Sequence, residues 1–91
     1  MRIVILNGLA MIGRREAHAY LRQALDFPEW YGHNLDALAD CLGELDAHTH
    51  IILTEADAMR SQLGDYAQRL LNVFCTCAEA PKSFHFAVDG E

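Results

Sequence analysis

Residues 28–42 read PEWYGHNLDALADCL. Pro28 halts whatever precedes it, Trp30 and Tyr31 are adjacent aromatics, and Asn34 suits the N-cap of a helix. That helix, Asn34–Leu45, buries Leu35, Leu38, Leu42 and Leu45 and is ended by Gly43 or the polar stretch after it. On a wheel of about 100° per residue, Cys41 joins the leucines while Asp36, Asp40, Gly43 and Glu44 lie opposite. Asp36 in the first turn complements the helix dipole. Asp40 does not, and its repulsion with Asp36 costs about 0.2–0.5 kcal/mol. Stability alone does not call for Asp40. The aromatics beside it are the kind that anchor interfaces, with Tyr31 expected to be structural and Trp30 to stand at the rim of a binding surface.

Upstream, Arg2–Leu6 (RIVIL), ended by Asn7-Gly8, reads as a strand buried on both faces. Between Arg14 and Leu25 the apolar Ala17, Tyr20, Leu21, Ala24 and Leu25 share one helix face, with Arg14, Arg15, Glu16, His18, Arg22 and Gln23 on the other. Asp26-Phe27-Pro28 stops that helix. Downstream, Ile51–Thr54 is a second strand and Glu55–Leu63 a short helix. Gly64-Asp65 breaks the chain, Asp65 caps a long helix from Tyr66 to about Glu79, and Pro81 ends it. Phe84–Val88 is the last strand, with Asp89, Gly90 and Glu91 as a polar tail. Helices between strands imply an α/β layer with a mostly parallel sheet of three strands.

The 91 residues suit a single domain spanning 1–91, and 52% apolar with 22% charged residues is the balance of an ordinary globular protein. No apolar run is long enough for a membrane span, and MRIVILNG turns polar too soon for a signal peptide. Cys41, Cys75 and Cys77 are an odd count without a disulfide framework, so reduced thiols and a cytoplasmic setting are expected. A net charge of −6, from 13 acidic against 7 basic residues, disfavours direct nucleic acid or membrane binding and favours a basic protein partner.

The segment PEWYGHNLDALADCL closely resembles the barstar family of ribonuclease inhibitors. The family pattern is Pro-Glu, two aromatics, Gly, any residue, Asn-Leu-Asp-Ala-Leu, any residue, Asp-Cys-Leu. It specifies polar and aromatic positions that helix propensity does not dictate. A weaker likeness extends through Asn7-Gly8, the first helix and Val73-Phe74. The resemblance implies a small three-stranded parallel sheet packed with about four helices. It also implies that Asp40 enters a ribonuclease active site in place of a substrate phosphate, with Asp36 as a second interface carboxylate. Trp30 matches an aromatic that stacks near the catalytic histidine, Gly32 and Asn34 match loop contacts, and His33 borders them. Two positions depart from the pattern. Ala39 stands where the family has tryptophan, and Thr76 where it has an acidic contact. The implied partner is a basic ribonuclease or a toxin nuclease domain, bound by a chain that is a monomer when free.

Other chemistry is less well supported. His48-Thr49-His50 and Cys75-Thr76-Cys77 carry zinc-ligand residue types at non-standard spacings, so the alternative of a small metal-binding protein ranks last and no metal or cofactor is expected. The histidines read as a polar loop, and Cys41 and Cys77 as apolar filler. Asp36 and Asp40 on an exposed helix lack the burial that separates an acid from a base, and no phosphate-binding or nucleophile motif is present. An inhibitor is expected, not an enzyme.

Overall fold

In a computed structural model, residues 1–90 are described; Glu91, the end of the polar tail, lies outside them. Strand β1 (Arg2–Asn7) runs into a 3₁₀ turn (Gly8–Ala10) and helix α1 (Arg14–Ala24). Helix α2 (Leu35–Leu42) leads to β2 (Thr49–Thr54), α3 (Ala56–Leu63), α4 (Asp65–Ala78) and β3 (His85–Val88). The strands form one parallel sheet in the order β1-β2-β3, with Ile5 beside Ile52 and Ile52 beside Ala87. Parallel neighbours cannot be joined by a tight turn, so helical crossovers are obligatory, and they supply the layer that covers the sheet.

One sheet face is closed. Val4, Leu6, Ile51 and Leu53 point into it and meet Leu21, Met59, Leu70 and Phe74 from the helices. The other face is open, with Ile3 55% and Ile5 54% exposed. This corrects the expectation that β1 is buried on both faces. A continuous β-branched run serves a one-sided edge strand as well as a two-sided central one. The central position belongs to β2, which also starts earlier than expected, at Thr49, and so takes His50 into the sheet.

Local chemistry sets the remaining boundaries. Asp65 does not cap α4; it is the first helical residue, and Gly64, at a φ of 60°, is the N-cap. A positive φ is cheap for glycine, so the break falls there. Glu55, expected to open α3, is its N-cap, in the left-handed region. Gly8 is required by a close approach, because a Cβ there would overlap the Glu55 carbonyl. Between α2 and α4 lies the packing that positions the candidate site. Leu38 and Leu42 are fully buried, and truncating either to alanine is expected to cost about 2–5 kcal/mol.

Candidate protein-binding site

The loop before α2 is shaped by the way α1 ends. Asp26 adopts a left-handed φ of 61°, and the Phe27 amide donates back to the Arg22 carbonyl at 2.9 Å. That is the backbone closure of a Schellman-type helix end, reached without glycine. Phe27 is thereby buried against Tyr31, ring centroids 5.1 Å apart, and the Tyr31 amide closes a turn onto the Pro28 carbonyl at 3.0 Å. The turn separates the two aromatics as expected: Tyr31 is 3% exposed and Trp30 80%.

What holds Tyr31 is a residue placed on the polar side of α1 in the sequence reading. His18 is only 1% exposed. Its Nδ1 lies 2.6 Å from the Tyr31 hydroxyl and its Nε2 2.6 Å from the Tyr66 hydroxyl. In the neutral ring one nitrogen accepts from a tyrosine O–H while the other donates its N–H to the second hydroxyl oxygen. Burial, and secondarily the neighbouring His33, lower the His18 pKa; burial likewise raises those of Tyr31 and Tyr66, against a lowering pull on Tyr66 from Arg14 and Arg69. Arg14 lies over the Tyr66 ring, 4.4 Å from its centroid. All three groups of the bridge therefore stay neutral near pH 7. One signal for His18 was available: the same helix turn carries Ala17 and Leu21, and a bulky ring between them needs only a slight rotation of the helix to enter the core.

Beyond Tyr31 the loop is held by short-range bonds. His33, at a φ of 54°, donates from Nδ1 to the Tyr31 carbonyl at 2.9 Å. Asn34 donates from Nδ2 to the Gly32 carbonyl at 3.1 Å and accepts from the Ala37 amide at 2.7 Å, so one side chain ties the loop and caps α2. A Cβ at Gly32 would sit 3.2 Å from Asn34 Nδ2 and 3.3 Å from the Ala37 Cβ, tight against the cap.

Asp36 and Asp40 are exposed on α2, and among the described residues neither has an ion-pair partner; Asp57 and Arg60 pair elsewhere, at 3.4 Å. The two carboxylates face different surroundings. Asp40 lines a cleft with Trp30, whereas Asp36, His33 and Asn34 line another with Arg14, Arg15 and Tyr66. Ala39 is half-buried and Thr76 is exposed on α4; neither lines these clefts. Burial, and then the negative fields of Asp40 and Glu44, push the Cys41 thiol up, and burial does the same for Cys77. Protonated thiols are poor nucleophiles and poor metal ligands. Cys75 is exposed. His50, expected in a loop, stacks on His85 across β2 and β3 with ring centroids 4.5 Å apart, while His48 precedes the strand.

A three-stranded parallel sheet packed with four helices is an α/β fold of the barstar-like class, here with an exposed tryptophan in the loop before a capped helix that carries two unpaired carboxylates. The chain belongs to the Barstar family, described as barnase inhibitor, which it matches over residues 1–89. A similar protein is the "Putative ribonuclease inhibitor YrdF" of Bacillus subtilis (strain 168). The two are 37% identical over 83 residues, covering 90% of this chain and 91% of that protein. The family is one of inhibitors, and the chain is not an enzyme. Among the described residues no helix is long and apolar enough to cross a membrane.

Proposed function

We infer that this protein inhibits a basic ribonuclease by filling the enzyme's active site with the exposed face of α2 and the loop before it. The observation that carries the reading is that Trp30, 80% exposed on a loop tied down from beneath by Tyr31 and His18, lines one cleft with the unpaired carboxylate of Asp40 on α2. A side chain as apolar as tryptophan loses free energy by facing water, and a carboxylate without a counter-charge gains by finding one. Both terms favour a cationic partner surface. A ribonuclease cleft must be positively charged to hold RNA, so an acidic helix is steered to it, and its carboxylates take the place of phosphates without offering a scissile bond. Asp40 is the principal phosphate substitute and Asp36 the second; Trp30 stacks near the catalytic histidine of the enzyme, and Gly32, His33 and Asn34 lie against its rim. The repulsion between the two aspartates is offset once cations lie between them, because each carboxylate is then attracted to the cations.

Ala39 and Thr76, in place of a tryptophan and an acidic contact, favour a target other than barnase itself, such as a related ribonuclease or the nuclease domain of a toxin. The test is RNA cleavage by a panel of basic microbial ribonucleases and toxin nuclease domains, with and without the protein. Wild type is expected to inhibit at least one. Asp40→Ala is expected to lose on the order of 2–5 kcal/mol of binding, about 30-fold or more, with its circular dichroism unchanged. If wild type inhibits none of the panel and retains no basic nuclease from its source in a pull-down, the reading is wrong.

A further inference from the structure

On the Asp40 side of α2 the surface is indented by a cleft that phosphate mimicry alone does not use. Its floor is apolar: Leu25 and Phe27 follow the end of α1, Cys41 comes from α2, and Leu45 lies just beyond it. Trp30, largely exposed, lines it as well. Asp26, Asp40 and Glu44 also line it, as does Arg2, and among the described residues none of these four has an ion-pair partner. The negative fields of Asp40 and Glu44 reach the floor, where they act on the Cys41 thiol.

An occupant has to meet three demands together: an apolar stem for the floor, a positive head for the rim, and a face that lies on the indole. A neutral apolar side chain would leave the carboxylates losing water without a counter-charge. Lysine meets the first two demands. Arginine meets all three, because its guanidinium is planar, weakly hydrated, stacks on aromatic rings and forks onto carboxylates. We propose that this cleft is a socket for an arginine side chain of the inhibited nuclease, distinct from the cations that meet the outward face of α2. The source of the arginine rests on the inhibitor reading; the chemistry of the socket rests on the cleft. With Ala39 where the family has tryptophan, the socket supplies an anchor that α2 itself lacks.

Trp30 is the only tryptophan in the chain, so its fluorescence reports the cleft directly. Wild type is titrated with N-acetyl-arginine amide and with the citrulline analogue, which keeps the shape and removes the charge. The arginine compound is expected to change Trp30 emission saturably, on the order of millimolar, and the citrulline compound to leave it unchanged. The double variant Asp26→Asn/Glu44→Gln keeps the size of both side chains, and asparagine tolerates the left-handed backbone at residue 26. It is expected to weaken the arginine response, and affinity for an inhibited nuclease, about tenfold or more with an unchanged melting temperature. Equal responses to the two compounds, or none to either, overturn the socket. If Asp40→Ala abolishes inhibition while the double variant inhibits undiminished, the socket falls and the inhibitor reading stands. If the arginine response is as expected but no nuclease is inhibited, the nuclease as the source of the arginine falls.

Discussion

His18 sits between residues that mark its face of α1 as polar, yet its ring joins the hydroxyls of Tyr31 and Tyr66 inside the core. A histidine with a lowered pKa binds fewer protons folded than unfolded. Its contribution is therefore complete above the ordinary histidine value of 6.5 and is lost as pH falls from there toward the lowered folded value. Urea unfolding at pH 7.5 and pH 5 is expected to show a drop in midpoint for wild type. His18→Gln is expected to start about 1–3 kcal/mol lower at pH 7.5, from lost buried hydrogen bonds, and to show a smaller drop over the same range. A variant as pH-dependent as wild type would mean that another group titrates in that window. Because Tyr31 is the residue between Trp30 and Gly32, inhibition is expected to weaken over the same pH interval. Sequence reasoning separated Tyr31 from Trp30 but missed His18. Periodicity assigns a helix face by the majority of its residues, and a histidine becomes a core residue only when two hydroxyls from distant segments arrive to satisfy both nitrogens.

Helix α2 depends on Asn34 twice, through the Ala37 amide and the Gly32 carbonyl. Asn34→Ala is expected to cost about 1 kcal/mol of stability, within the range of about 0.5–2 for a lost cap, and to weaken inhibition further because the loop is released. Asn34→Asp separates the two effects, since it keeps the capping acceptor and removes the donor to Gly32. Its melting temperature is expected to stay near wild type while inhibition falls. If both variants melt alike, the cap is not what the asparagine contributes. Elements of this kind were legible where local chemistry dominates: the cap at Asn34, the buried Leu38 and Leu42, and the start of β3 to within one residue, whereas Leu35 and Leu45 are only half-buried and α2 ends at Leu42, short of the expected Leu45. They were less legible at Glu55 and Asp65. There the helix start was set by a positive φ that glycine accepts at Gly64 and that Glu55 adopts under tertiary constraint.

Across the whole molecule the net charge of −6 acts at longer range than any single contact. Association with a basic ribonuclease is expected to slow markedly between about 0.05 M and 0.5 M salt, while dissociation changes little, as stopped-flow mixing would show. A salt-independent association rate would argue against electrostatic steering. The order of helices and strands, the parallel sheet and the acidic stretch 28–42 followed from the sequence by itself, because each rests on periodicity, capping and charge that are local to the chain. The resemblance carried by PEWYGHNLDALADCL then named the family. Tertiary structure decided that β1 is an edge strand with one face open and that His18 is the buried support of the binding loop. It also decided that Asp36 and Asp40, one helical turn apart, look into different clefts. These depend on which segments meet in space, and burial, hydrogen-bond satisfaction and the local field at a residue are set by neighbours that lie far from it along the chain.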